Sequence, residues 1–284
     1  MNGDLAAVLR TWLGAGEPVA RVTIARAHGS TPREAGATML VSAREICGTI
    51  GGGRLEWDAT ARARAVLAQG NGATAARLVL EMPLGPALNQ CCGGHVSVCI
   101  ERANERVLRE VAAAGRAERE ALPLVVMFGA GHVGRALATA LAPLPFRLRW
   151  VDGRAEAFGP AVPDGVEAVV TDAWEAEVAR LPAGAACLVF THSHALDARI
   201  TAAALERGDL AYVGLIGSRS KRRRFERAFR DVGIAEARIA ALVCPIGGRD
   251  IRDKRPAVIA ALTAAELVEA FARRAARRGH REAA

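Results

Sequence analysis

The fold of this chain is decided by Leu124-Val125-Val126-Met127-Phe128-Gly129-Ala130-Gly131-His132-Val133-Gly134, an apolar run that leads into three spaced glycines. A strand that enters a glycine-rich turn and then a helix is the setting of a dinucleotide fingerprint, where the helix N-terminus faces a phosphate. Asp152 follows 23 residues after Gly129, where an acid binds a ribose. The segment predicts a Rossmann-type fold with Gly129, Gly131, Gly134 and Asp152 as candidate ligands. Since fold does not dictate ligand, use of NAD(P) stays open.

The pattern on both sides of this segment indicates an α/β chain in two parts. From residue 122 onward short strands alternate with helices, which is typical of βαβ units and a parallel sheet. Strands are predicted at 124–128, 147–151, 167–170, 187–191, 211–216 and 239–243, and helices at 133–141, 197–207, 221–232 and 256–278. Upstream, strands are predicted at 19–27, 37–41, 45–50, 76–82 and 95–101, with helices beginning at Leu5 and Leu55. We therefore predict an N-terminal α+β domain at 1–102, a helical connector at 103–121, and a Rossmann-like parallel-sheet domain with a basic C-terminal helix at 122–284.

The composition is that of a globular protein, but the charge is uneven along the chain. Of 284 residues 51% are hydrophobic and 24% are charged, which excludes a disordered or fibrous protein. The formal net charge of +8 first suggests a polyanionic partner. Residues 1–218 carry 21 basic against 22 acidic side chains, whereas residues 219–284 carry 17 against 8. Because only 4% of residues are aromatic, bases would find few stacking platforms. We expect no nucleic-acid partner, and a docking surface or solvated tail in the basic last quarter.

The sequence predicts a cytoplasmic protein with reduced thiols and no membrane partner. No apolar run approaches the roughly 18 residues that span a bilayer. The first residues lack the basic and apolar regions of a secretory signal. The six cysteines are Cys47, Cys91, Cys92, Cys99, Cys187 and Cys244. Six cysteines over 284 residues are too few for a disulfide framework.

Two polar segments follow strands that end at one edge of the predicted parallel sheet, where ligands bind in such folds. The first is Thr191-His192-Ser193-His194-Ala195-Leu196-Asp197. His192, His194 and Asp197 have the chemistry of metal ligands, although Asp197 also suits the N-cap of the following helix. The second segment ends at Ser218, which begins a basic helix, so an anion could bind at that N-terminus.

The N-terminal half holds a second group of candidate residues in three glycine-containing turns. They are Gly29-Ser30-Thr31-Pro32-Arg33, Gly51-Gly52-Gly53-Arg54-Leu55-Glu56 and Cys91-Cys92-Gly93-Gly94. Successive bare amides form anion nests, and a thiolate beside a nest has a lowered pKa that suits a soft metal or sulfur chemistry. The alternative is that these are tight hairpin turns in which Cys91 and Cys92 are small core residues. Chemistry alone does not choose between the two.

Taken together, these segments resemble the XdhC/CoxI family, the accessory factors of xanthine dehydrogenase and related molybdenum hydroxylases. The matching segments are 29–33 with Gly36 and 39–41, 48–53 with 55–56, 92–94, 128–133, 191–194 with Asp197, and 214–218. They occur in the family's order over nearly the whole chain, so the set is specific although each motif alone is weak. Many CoxI-like relatives have cysteine where Arg54 stands, so the resemblance leaves Cys92 as the thiol expected at the metal.

The resemblance implies a chaperone for the molybdenum cofactor rather than a turnover enzyme. Such proteins bind molybdopterin, protect it from oxidation, support its sulfuration by a cysteine desulfurase and deliver it to the apo large subunit of xanthine dehydrogenase. The residues expected at the cofactor are Ser30, Arg33, Gly51, Gly52, Gly53, Glu56, Cys92, Gly93, Gly94, Gly129, Gly131, Gly134, Asp152, His192, His194 and Ser218. Cys92 is expected to contact molybdenum, and handover to a large subunit favours a homodimer.

The competing hypothesis is an NAD(P)-dependent oxidoreductase of unknown substrate that uses the fingerprint glycines and Asp152. It has no evident proton donor in the sequence beyond His132, His192 and His194.

Overall fold

A computed structural model describes residues 5–69, 77–84, 93–248, 251 and 253–282. The chain divides into two units, residues 1–118 and 119–284. Cys91 and Cys92 lie outside the described residues. Within the described part of the chain, no helix is long and apolar enough to cross a membrane.

The N-terminal unit is built on a five-stranded antiparallel sheet. Its helices are α1 (Leu5–Gly14), α2 (Gly53–Ala68) and α3 (Glu105–Ala121), and its strands are β1 (Ala20–His28), β2 (Thr38–Val41), β3 (Ile46–Gly48), β4 (Leu78–Pro83) and β5 (His95–Arg102). The strand order is β3-β2-β1-β5-β4. The predicted strands and helices of this half are all present, with ends shifted by a few residues.

Alternation along the strands decides which helix covers which face. Val22 and Val41 pack with Leu55 of α2 in one core, whereas Leu40, which points to the opposite face, packs with Leu9 of α1 and Val107 of α3. The first turns of α3 therefore belong to the N-terminal unit, whereas the sequence suggested a separate connector at 103–121.

The C-terminal unit has a six-stranded sheet in the order β11-β10-β9-β6-β7-β8. Its strands are β6 (Leu124–Phe128), β7 (Arg147–Asp152), β8 (Val166–Val170), β9 (Ala186–Val189), β10 (Tyr212–Leu215) and β11 (Leu242–Val243), and its helices are α4 (His132–Leu141), α5 (Trp174–Ala179), α6 (His194–Arg207), α7 (Arg219–Asp231), α8 (Glu236–Ala240) and α9 (Pro256–Glu282). All neighbouring strands pair in parallel. In chain order this is the doubly wound arrangement of a Rossmann sheet, which confirms the predicted fold class.

Helices cover both faces of this sheet, so β6 is buried along its whole length. On one face Phe128 and Val189 pack with Phe225 and Phe229 of α7. On the other face Met127 and Leu188 pack with Leu137 of α4 and Leu267 of α9. The predicted last strand at 239–243 is wrong in its first half, because Ile239 lies in α8.

Candidate functional site

The three fingerprint glycines lie in the turn between β6 and α4, and they have different roles. Gly129 has φ +118°, and a Cβ atom there would lie 2.5 Å from the carbonyl oxygen of Phe190. A Cβ atom at Gly134 would lie 2.4 Å from the carbonyl oxygen of Gly129. Gly131 instead has φ −76° and open space where its Cβ would be. The fold thus requires the first and third glycines, while Gly131 leaves room for a phosphate beside the N-terminus of α4.

Asp152, the predicted ribose ligand, lies at the end of β7, but protein donors already use its carboxylate. The side chain is 2% exposed. Oδ2 accepts the N–H of Ala130 at 2.7 Å and Nη2 of Arg154 at 3.2 Å, and Oδ1 accepts the N–H and Nε of Arg154 at 3.1 and 3.0 Å. Because a carboxylate has about four lone-pair directions, these four bonds leave no acceptor for a ribose diol.

These bonds make Asp152 a fixed anion. Burial acts to raise the pKa of Asp152, but the hydrogen bonds from Arg154 and Ala130 outweigh burial and lower the pKa below its ordinary value. The same pairing raises the pKa of Arg154. Sequence reasoning missed Arg154, and the available signal was its position two residues after the acid in Asp152-Gly153-Arg154.

The segment after β9 does not gather the predicted metal ligands. His192 and His194 are exposed, and the described residues contain no group of three His, Cys, Asp or Glu side chains able to hold a metal ion. Asp197 is buried, and its Oδ1 accepts the N–H and hydroxyl of Thr191 at 2.9 and 2.8 Å. Its Oδ2 lies 2.8 Å from Nζ of Lys221. Asp197 therefore joins the loop after β9 to α7.

Serine side chains cap the two helices that begin at this edge. Ser193 caps α6 by accepting the N–H of Leu196 at 3.4 Å, so Asp197 is not the N-cap. Ser218 caps α7 by accepting the N–H of Lys221 at 3.2 Å. Because the Ser218 hydroxyl is already used by its own helix, an anion there would compete with the cap.

The three glycine turns of the N-terminal unit, which are distant in sequence, meet in the structure. A Cβ atom at Gly94 would lie 2.3 Å from the carbonyl oxygen of Ser30. Gly51 has φ +126°, and a Cβ atom there would lie 2.7 Å from Cγ of Pro32. At Gly93, by contrast, a Cβ atom would enter open space. The turn at 29–33 is thus held between the other two turns at contact distance.

Glu56 folds back onto its own glycine turn. Its Oε2 accepts the Thr49 hydroxyl at 2.5 Å and the N–H groups of Ile50 and Gly52 at 3.0 and 3.2 Å. The N–H of Gly51 donates to the Thr49 hydroxyl oxygen at 3.1 Å. The amides of Gly51 and Gly52 are therefore not bare, contrary to the sequence interpretation.

The donors that remain near these turns are Ser30, Arg33 and the first amides of α2 from Gly53 onward. Ser30 and Arg33 are exposed, and no described residue accepts a hydrogen bond from the Arg33 guanidinium. Arg54 differs, because it pairs with Asp58 at 3.1 Å and stacks over the ring of Trp57. The predicted contact of Cys92 with molybdenum stays a prediction, since Cys92 lies outside the described residues.

A fourth glycine turn, after β11, is also held by a carboxylate that sequence reasoning missed. Glu266 of α9 accepts the N–H groups of Gly247 and Gly248 at 3.3 and 2.9 Å. It also accepts the hydroxyl of Tyr212 at 2.5 Å. Burial, reinforced by this bond, raises the pKa of Tyr212. The turn is thereby fixed without a ligand.

Comparisons with known proteins cover both units. The XdhC Rossmann domain model matches residues 125–267, and the XdhC and CoxI family model matches residues 12–79. The uncharacterised protein YqeB of Escherichia coli is 29% identical over 259 residues, which are 89% of this chain and 43% of YqeB. The chain thus spans under half the length of that relative. A crystal structure described as a xanthine dehydrogenase from Bacillus halodurans covers 96% of both chains with a TM-score of 0.71 at 20% identity, which shows a shared fold.

Proposed function

Because this chain belongs to the XdhC and CoxI family, we propose that it binds the molybdenum cofactor and delivers it to the apo large subunit of xanthine dehydrogenase. Protection of the cofactor from oxidation and its sulfuration by a cysteine desulfurase are part of the same proposal. The observation that supports it best is the meeting of three glycine turns in the N-terminal unit beside Arg33, which pairs with no acidic residue that the structure describes.

The donors around these turns fit the phosphate of a pterin cofactor. Arg33 presents a planar fork of N–H donors that matches phosphate oxygens. The amides at the start of α2 follow Gly51, which contacts the turn that carries Arg33, and they add the positive end of a 16-residue helix. Ser30 contributes a hydroxyl from the same turn.

Cys92 is the thiol that we propose for the metal. It directly precedes Gly93 and Gly94, and Gly94 packs against the carbonyl oxygen of Ser30. A thiolate is the soft donor that a sulfur-bound molybdenum prefers. When bound, the cofactor supplies the redox-active molybdenum centre of the target hydroxylase, and the residues of this chain hold and shelter it until release.

Rigid turns serve this task because they fix the donors before the cofactor arrives. Gly51 and Gly94 lie against the turn at 29–33 so closely that neither position has room for a Cβ atom, and Glu56 accepts the amides of Ile50 and Gly52. Preorganised donors avoid the entropy cost of ordering on binding.

Delivery also requires a surface for the large subunit, and we propose the exposed arginines of α7 for it. Arg222 pairs with Glu226 and Arg230 pairs with Glu236. No described acidic residue pairs with the remaining exposed arginines of the helix, which are Arg219, Arg223, Arg224 and Arg227. An acidic patch on the large subunit is the complementary partner, so binding should weaken steeply with salt.

Anaerobic gel filtration of the protein mixed with molybdopterin tests the proposal. We expect the wild type to comigrate with the cofactor and to restore activity to the apo hydroxylase, whereas Arg33→Ala and Cys92→Ala retain less cofactor. Arg62→Ala is the matched control, because Arg62 is exposed on α2 about 13 Å along the helix from Gly53. No retention by the wild type would overturn the proposal, and equal loss in Arg62→Ala would remove Arg33 from the site.

A further inference from the structure

The turn between β6 and α4 is the place where nucleotide-binding Rossmann folds hold the ligand, and the residues there fit only part of a dinucleotide. Gly131 fits, because the volume that its Cβ would fill is open beside an uncapped helix N-terminus. Asp152 does not fit the usual role of binding the 2′ and 3′ hydroxyls of the adenosine ribose. All four of its acceptor directions are used by Ala130 and Arg154, and its side chain is 2% exposed.

Arg154 lies two residues after Asp152, at the end of β7, and its guanidinium is the charged donor at this position. Its Nε and Nη2 bond to Asp152, and its side chain remains 45% exposed. No described residue accepts a hydrogen bond from its Nη1. The guanidinium is therefore held at the end of β7 with one nitrogen free, and free guanidinium donors match phosphate oxygens.

The charge around this position also favours an anion over a neutral diol. An unpaired carboxylate at this position would repel a ribose phosphate. The ion pair with Arg154 cancels the negative charge of Asp152 and so removes that repulsion. Arg135 of α4 adds a second cation on the same turn, since its Nη1 donates to the carbonyl oxygens of Ala130 and Ala157 at 3.3 and 3.0 Å.

We propose that the C-terminal unit binds a nucleotide whose ribose carries a phosphate, and that Arg154 selects this ligand over one with a free ribose diol. The site lies in a different unit from the glycine turns proposed for the molybdenum cofactor. The nucleotide proposal can be tested separately from the molybdenum-cofactor proposal, because the two use different ligands and different variants.

Isothermal titration calorimetry of the full chain with two matched ligand pairs tests the proposal. The pairs are NADP⁺ with NAD⁺, and adenosine 2′,5′-bisphosphate with AMP, and the members of each pair differ only in the phosphate on the ribose 2′ oxygen. We expect the ribose-phosphorylated member of each pair to bind at least about tenfold tighter, because a charge-assisted hydrogen bond between Arg154 and the phosphate contributes about that factor to affinity. Equal or tighter binding of the diol, or no binding of any of the four at millimolar concentration, would overturn the proposal.

Two variants and a control locate the effect. Arg154→Ala should weaken NADP⁺ binding about tenfold and spare NAD⁺, because Asp152 regains free acceptors. Gly131→Ala should abolish binding of all four ligands, because the added methyl group would occupy the volume proposed for the phosphate. The melting temperature should not change, since no protein atom beyond the two chain neighbours lies within 4 Å of that methyl group. Arg180→Ala is the control, because Arg180 also pairs with an acid, Glu177, and its side chain is 69% exposed.

Unchanged binding in Gly131→Ala would place any ligand elsewhere and overturn the assignment. Unchanged discrimination in a folded Arg154→Ala would exclude Arg154 as the selecting residue. If Arg154→Ala fails to fold, the wild-type ligand pairs and Gly131→Ala decide the question without it.

Discussion

The ion pair of Lys221 and Asp197 joins α7 to α6 at the carboxyl edge of the parallel sheet, and Lys221→Met measures its contribution to stability. Nζ of Lys221 lies 2.8 Å from Oδ2 of Asp197 and donates to the carbonyl oxygen of Ile216 at 3.0 Å. The two side chains are 15% and 2% exposed. Methionine keeps most of the stem's length and removes the charge. Of its bonds to described residues, the carboxylate then retains the two from Thr191.

The expected magnitude follows from burial. Removal of one partner of a buried pair costs about 3–5 kcal/mol. Because Asp197 keeps two hydrogen bonds, we expect the lower end, about 3 kcal/mol. For a unit of this size each kcal/mol lowers the melting temperature by about 2–4 °C, so the expected decrease is about 6–12 °C.

Calorimetric melting of the full chain at neutral pH is the assay, with Asp197→Asn completing a double-mutant cycle. Asparagine can still accept both bonds from Thr191, so the cycle isolates the charge pair. Arg273→Met is the control, because Arg273 and Glu269 form an exposed pair one helical turn apart that contributes at most about 0.5 kcal/mol. Our reasoning is refuted if Lys221→Met destabilises no more than Arg273→Met, or if the two changes of the cycle are additive.

Three further predictions test individual contacts. Gly94→Ala places a methyl group 2.3 Å from a backbone carbonyl oxygen, so urea unfolding should show a loss of about 1–3 kcal/mol, whereas Gly93→Ala should match the wild type. The pKa of Asp152 is lowered by folding, so its charge stabilises fully above the unfolded value of about 3.9 and less as pH falls through the folded pKa. The melting-temperature gap between wild type and Asp152→Asn should therefore narrow below about pH 4, and a constant gap from pH 6 to pH 3 would contradict this. Burial raises the pKa of Cys187 to about 12, so maleimide labelling at pH 8 followed by mass spectrometry should modify Cys187 only after denaturation, while half-buried Cys47 reacts in the native protein.

The strands and long helices were predictable because their signals are local. β6 lies at the predicted residues, since an apolar run of five with glycines behind it has few alternatives. The six-residue α5 was missed, and the five-residue α8 was mistaken for part of a strand. Elements this short carry too little periodicity, and neighbouring packing decides their conformation.

The glycine turns could be recognised from the sequence, but the hydrogen-bond partners inside them could not. The sequence predicted Gly51, Gly94, Gly129 and Gly134 as cofactor ligands, and the structure shows that a Cβ atom at each of them would lie within 2.7 Å of a neighbouring protein atom. The sequence could not show that both carboxylate oxygens of Asp152 would accept hydrogen bonds from Ala130 and Arg154. A hydrogen-bond partner depends on rotamer and backbone geometry, which residue spacing does not record.

Four carboxylates share one role that changes how the glycine motifs should be interpreted. Glu56, Asp152, Asp197 and Glu266 each accept at least one backbone N–H from a turn at the end of a strand. Such a carboxylate satisfies amides that would otherwise be unpaired and holds the turn in one conformation without a ligand. It also repels a phosphate from the same amides, so those amides are not available as anion nests. Glu56 and Asp152 accept the amides of Gly52 and Ala130, whereas the amides that follow, from Gly53 in α2 and from Gly131 before α4, donate to no described carboxylate. Both ligand proposals therefore depend on these two helix starts, where Glu56 and Asp152 hold the neighbouring backbone amides.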